Sequence, residues 1–236
     1  MTTEKSVPEN IAMVRQRIST AARRAGRNPE EITLMAVSKT QTPEKISAAY
    51  NSGIRSFGEN RVQEFAKKRE ALTLLSDATF TLIGQLQSNK VNKAIEVFSA
   101  IHSIDSLRLA ERINSVLERQ ASSPMPVAIE INVGDPAKAG LAADSAELEE
   151  LLSAAERLKH IRIQGLMTIP PFTEDPEGAR PYFRRLRDLR DRIAARKLTG
   201  VGLEVLSMGM SHDFEVAIEE GSSCVRVGTA IFGERS

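Results

Sequence analysis

The sequence predicts an α/β fold, a single (β/α)8 barrel with an extra N-terminal helix, on three observations. Short runs rich in Val and Ile recur eight times, and a segment of helical spacing separates each run from the next. The length, 236 residues, is close to the roughly 250 at which one such barrel closes. Strict alternation of strand and helix implies parallel strands joined by right-handed crossovers.

Taken in order, the first element is a helix over 8–25, because Ile11, Val14, Ile18, Ala21 and Ala22 share one face and Gly26 can end it. It can fill the gap left after the last strand. Strands follow at 32–38, 56–58, 79–84, 100–104, 126–133, 161–169, 203–208 and 224–227. Between them come helices at 43–51, 61–72, 90–98, 107–120, 145–159, 176–197 and 214–220. Several runs are continuously apolar, as expected of strands buried on both faces. No composition break interrupts the pattern, so residues 1–236 read as one domain.

Composition narrows the function classes. With 32 basic against 31 acidic residues the net charge is +1, which does not favour nucleic acid as a partner. The Arg-rich stretch at 180–197 keeps Phe183, Leu186, Leu189 and Ile193 at helical spacing and reads as a solvated amphipathic helix. One cysteine, Cys224, allows no internal disulfide and no zinc site needing two thiolates, so no metal is expected. No apolar stretch has the length of a membrane span and the start lacks a secretory pattern, so a cytoplasmic location is expected.

In a barrel of this kind chemistry gathers where strands end. The first run passes from Val37 and Ser38 directly into Lys39, and alternation puts Met35, Val37 and Lys39 on one side. If that side is the interior, burial disfavours the ammonium and leaves an amine able to condense with an aldehyde or ketone. A lysine extending into solvent fits the same position. The seventh run ends Leu206-Ser207-Met208-Gly209-Met210-Ser211, and the eighth ends Arg226-Val227-Gly228-Thr229. Small residues and hydroxyls there suit a phosphate dianion, and they also suit ordinary turns. Arg226 lies between Val225 and Val227 and needs a partner, either a structural one or a ring nitrogen. An amine, a phosphate cradle and an arginine at one mouth describe a site for pyridoxal 5'-phosphate.

Seven motifs in order carry a resemblance: 36–39 (Ala-Val-Ser-Lys), 57–60 (Phe-Gly-Glu-Asn), 83–90, 101–105, 165–167 (Gly-Leu-Met), 206–211 (Leu-Ser-Met-Gly-Met-Ser) and 226–233. Over 34–233 the chain resembles the pyridoxal phosphate homeostasis protein family, also called YggS or PROSC. The resemblance implies a barrel like the N-terminal domain of alanine racemase, lacking the C-terminal β-domain. It implies Lys39 as the lysine of the internal aldimine, Ser207, Gly228 and Thr229 as phosphate-binding positions, and Arg226 beside the pyridine nitrogen. Asn60 matches a pocket-lining residue, and Met167, Met208 and Gly209 match further positions around it. Arg61 departs from the pattern, in which an aromatic residue follows Gly-Glu-Asn.

The expected function is intracellular storage, shielding or delivery of pyridoxal phosphate without robust catalysis, by a monomer. Expected partners are this vitamer, other B6 vitamers and the apoenzymes that use it. An arginine at the ring nitrogen weakens the ring as an electron sink. Tyr50 and Tyr182 fall in helices, while His102 and His212 lie near strand ends. The alternative is a small pyridoxal phosphate-dependent, racemase-like enzyme.

Overall fold

In the computed structural model, residues 6–134 and 139–233 are described. Eight parallel strands form the barrel: β1 (Thr33–Val37), β2 (Ser56–Glu59), β3 (Thr79–Leu82), β4 (Ala100–Ile104), β5 (Met125–Asn132), β7 (Ile161–Met167), β8 (Val201–Met210) and β9 (Cys224–Val227). Pairing of β1 with β9 and of β4 with β5 closes the ring. The remaining strand, β6 (Leu141–Ala142), pairs with the end of β5.

Alternation divides the strand residues cleanly. Ala36, Phe57, Phe80, Leu82, Val127, Leu166 and Val225 face outward and pack against the helices in the main core. Met35, Val37, Ile83 and Cys224 form a small inner cluster. Other inward positions are polar and buried, among them Thr81, His102, Glu130 and Arg226. Burying such groups is tolerable only with partners, so the barrel interior is an electrostatic structure as much as an apolar one.

The helices are α1 (Val7–Arg24), α2 (Pro43–Asn51), α3 (Val62–Lys68), α4 (Val91–Val97), α5 (Leu107–Arg119), α6 (Ala146–Ala154), α7 (Arg180–Ala195), α8 (Phe214–Glu219) and the short α9 (Thr229–Phe232). Helix α1 buries the expected face, Ile11, Val14, Ile18, Ala21 and Ala22, against α8, α9 and α2. It occupies the place a helix after the last strand would take, and each buried Ile or Val contributes about 1.5–3 kcal/mol. Arg17 pairs with Glu215 across the α1–α8 contact.

The clearest departure from the expected elements is β8, which runs on to Met210 where the sequence predicts an end at Met208. Its pairing with β9 shifts register between Ser207 and Met210. Gly209, at φ 92°, sits in that irregularity, and a Cβ there would lie 2.5 Å from the Ala217 Cβ. The extra length moves the barrel mouth two residues along the chain.

Candidate functional site

The conditional reading of the first strand resolves in favour of the interior, since Met35 and Val37 belong to the inner cluster. Lys39 continues that side just beyond β1 and is half-buried. Its side chain joins the lining of a cavity of about 270 Å³ at the C-terminal ends of the strands.

Arg226 reaches the same cavity from β9 while only 3% exposed. One terminal nitrogen, Nη1, donates to the Ser207 carbonyl at 2.7 Å and to Ser207 Oγ at 2.8 Å. The other, Nη2, donates to the Thr168 carbonyl at 2.7 Å. Three oxygens thus fix the guanidinium plane, which no described carboxylate contacts as an ion pair. Buried cations need this kind of enclosure.

More distant charges feel Arg226. Burial first, then its positive field, lowers His102 to about 3, so that imidazole is neutral. Burial, reinforced by Asp105 and opposed by Arg226, raises Glu130 to about 7. Burial also pushes the Cys224 thiol up, which makes it a poor nucleophile.

Of the residues singled out in the sequence, Lys39, Asn60, Arg226, Gly228 and Thr229 line this one cavity. Ser207 is fully buried and acts on it through Arg226. Met208 falls outside: alternation turns it outward, where it packs into the core beneath the helices. Met167 is fully buried and lines no wall of the cavity, and Gly209 shapes the bend of β8 below the rim.

Longer β8 explains what sequence reasoning missed. Met210, Ser211 and His212 line the cavity in place of Met208 and Gly209. Ser211 Oγ accepts from the backbone N–H groups of Gly228 and Ala230, at 3.2 and 3.3 Å, and so ties the last two loops together. The motif ending at Ser211 was visible, but nothing local marked where the strand stopped. Val37, Ile83, Ile169 and Met210 supply apolar wall. His212 lies within hydrogen-bond distance of the Thr173 carbonyl, at 3.1 Å, and close to the Phe172 ring. His102 lines the opposite opening of the barrel, where its Nε2 meets Gln164 at 3.2 Å. Tyr50 donates to Asp77 on the outer surface, and neither tyrosine lines the cavity.

The donor set is coherent. Lys39, Arg226 and His212 are the ionisable side chains lining the cavity among the described residues, and no described carboxylate joins them. Hydroxyls at Thr40, Ser211 and Thr229 and the amides of Gln41 and Asn60 complete the polar part. A flat apolar ring carrying an anionic group and a carbonyl matches this distribution.

A family model, alanine racemase, N-terminal domain, matches residues 10–236. Over 228 residues the chain is 46% identical to the pyridoxal phosphate homeostasis protein of Aquifex aeolicus strain VF5, covering 96% of this chain and 97% of that one. The chain belongs to the pyridoxal phosphate homeostasis protein family. Among solved structures, PipY of Synechococcus elongatus PCC7942 with PLP bound has a TM-score of 0.84 and 35% identity, covering 97% of this chain and 100% of that one. Alanine racemase from Corynebacterium glutamicum is 20% identical with a TM-score of 0.68, over 94% of this chain and 61% of that one. That likeness concerns the barrel fold alone.

Proposed function

We propose that this protein binds pyridoxal 5'-phosphate at Lys39 and holds it in reserve, storing, shielding or delivering it, without a robust reaction of its own. One observation carries the reading: a single cavity joins an amine, an enclosed guanidinium and a hydroxyl-bearing rim, with no described carboxylate in its wall. An aldehyde that also bears a phosphate and an aromatic nitrogen fits each part.

In this reading Lys39 meets the aldehyde, Arg226 faces the ring nitrogen, and Gly228, Thr229 and Ser211 hold the phosphate. Asn60 contributes a polar edge, while Val37, Ile83, Ile169 and Met210 flank the ring faces. Ser207 positions Arg226, and Met167, Met208 and Gly209 support the wall from behind. The bound vitamer would supply a reversible carbonyl for amines and a ring able to delocalise charge.

A guanidinium has no acceptor and keeps its proton, so Arg226 leaves the ring nitrogen unprotonated and the ring a weak electron sink. This favours holding over turnover. The cavity opens where Thr40 and Ile169 meet solvent, which gives an incoming amine access for exchange. Apoenzymes that use the vitamer are the proposed recipients and other B6 vitamers the proposed additional ligands. A monomer working in the cytoplasm completes the reading; no helix among the described residues is long and apolar enough to cross a membrane.

Borohydride reduction followed by peptide mass spectrometry is expected to leave the pyridoxyl group on Lys39, and Lys39→Ala to abolish the visible absorption of the bound vitamer. A label on another residue rejects the assignment. His212 in the cavity wall favours the enzyme alternative as a second reading. Deuterium exchange at the α-carbon of amino acids separates the two, because turnover at roughly 1–1000 per second would establish an enzyme.

A further inference from the structure

The peptide groups on both sides of Lys39 are gripped by a partly buried ion cluster, Glu59, Glu64 and Lys68, none of which lines the cavity. Its centre is Lys68, the last residue of α3. Lys68 Nζ donates to Glu59 Oε1 at 2.9 Å, to the Ser38 carbonyl at 3.1 Å and to Glu64 Oε1 at 3.2 Å. An ammonium has three donors, and here all three have acceptors. The fully buried Glu59 takes a second bond on the same oxygen, from Ser38 Oγ at 2.8 Å. Glu64 Oε1 accepts from the Thr40 N–H at 2.7 Å.

Ser38 is therefore held through its hydroxyl and its carbonyl, and Thr40 through its amide. Lys39 is the residue between them. Thr40 has φ 63°, in the left-handed region that a β-branched residue avoids unless its surroundings impose it. The bond to Glu64 supplies that imposition, and it sets the direction in which the chain leaves β1. The charges agree with the geometry: burial works against ionised Glu64, yet Thr40 N–H and Lys68 hold it below the usual carboxylate range.

We propose that Lys68, with Glu59 and Glu64, is a positioning device that aims Lys39 into the cavity by clamping the residues before and after it. The proposal rests on the reading of Lys39 as the amine that meets the aldehyde. Neither Lys68 nor the two glutamates lines the cavity, so each acts through Lys39.

The test titrates pyridoxal 5'-phosphate into the full chain and follows affinity, the induced visible circular dichroism of the bound vitamer, and thermal melting. Glu64→Ala removes the acceptor for Thr40, and Glu64→Gln keeps one. Glu64→Ala is expected to weaken binding about tenfold and to shrink the induced dichroism at least by half, while Glu64→Gln restores affinity to within about threefold of the parent. Lys68→Met is expected to do at least as much damage as Glu64→Ala. If Lys68→Met does not fold, the Glu64 pair decides alone. Folded Glu64→Ala with affinity within twofold and unchanged dichroism overturns the clamp, as does equal loss in Glu64→Ala and Glu64→Gln. Borohydride labelling of the parent separates the two readings: a label on Lys39 with indifferent variants sinks only the clamp, whereas a label elsewhere sinks the function on which it rests.

Discussion

Lys39, His212 and Arg226 line the barrel mouth at the C-terminal ends of the strands, whereas Glu31, Glu204 and a ring of hydroxyls line the mouth at the N-terminal ends. The second opening, about 350 Å³, includes Thr33, Ser56, Thr79, Ser99 and the buried His102, and no described lysine or arginine. One closed sheet thus presents a cationic pocket on one side and an uncharged or acidic one on the other. The cause is topological. Loops leaving the strands can carry residues chosen for a ligand, while the entering ends are occupied by the strands' own first residues. Arg226 stands between the two, held by carbonyls on the upper side and felt electrostatically by His102.

The sharpest way to break this contrast is to remove Arg226. Arg226→Gln removes the guanidinium donors of the Thr168 carbonyl and Ser207 Oγ and leaves the Ser207 carbonyl only the Thr168 N–H, so stability measured by urea unfolding should fall by about 3 kcal/mol. Vitamer affinity should drop about a hundredfold, near 2.7 kcal/mol, in an absorbance titration. Arg226→Lys should rescue little, because an ammonium cannot reproduce the planar fork.

Gly209→Ala attacks the geometry of the upper mouth alone. A side chain in the left-handed region, pressed toward Ala217, should cost about 2–3 kcal/mol in the same unfolding measurement. The displaced rim should also weaken vitamer binding.

The interior charges give opposite pH slopes. Burial raises Glu130 to about 7 in the folded chain, whereas the unfolded chain releases this proton near the ordinary carboxylate value of 4.5. Stability from this group is present below pH 4.5 and is lost as pH rises to about 7, on the order of 3 kcal/mol. Glu130→Gln should flatten that slope in melting curves taken from pH 5 to 8. His102 has the reverse sign: its stability is present above about pH 6.5 and is lost as pH falls toward about 3. His102→Asn should lessen acid sensitivity in that window.

The smallest expected effect belongs to the lower mouth. Thr33→Val and Ser56→Ala lie at the far opening, and each should change vitamer affinity by less than about twofold. A loss comparable to that of Arg226→Gln would erase the distinction between the two ends.

Legibility differed by element. The eight barrel strands and the packing of the 8–25 helix followed from period-2 and period-3.6 patterning, because burial imprints itself on adjacent residues, whereas the pattern grouped Met35, Val37 and Lys39 without saying whether their side faces inward. Of the cavity-lining residues, Lys39, Arg226, Gly228 and Thr229 were singled out by asking where each run ended, and Asn60 by the family resemblance. Met208 was misplaced because β8 continues through a register shift to Met210, and a glycine's role in such a shift depends on what packs behind it. The Lys68 cluster gave no signal at all, since a lysine ending a helix ordinarily meets solvent.

From the chain alone came the alternation of elements, the parallel closed sheet and the grouping of Met35, Val37 and Lys39 on one side of β1, since each depends on neighbours a few residues apart; that this side faces the interior was decided by the fold. Only the folded barrel decided that Arg226 would be enclosed by the Ser207 and Thr168 carbonyls, that Ser211 would bind the last two loops together, and that Glu59, Glu64 and Lys68 would grip the residues flanking Lys39. Those contacts join segments brought together by closure of the ring, and hydrophobic periodicity carries no record of which polar groups will meet across it.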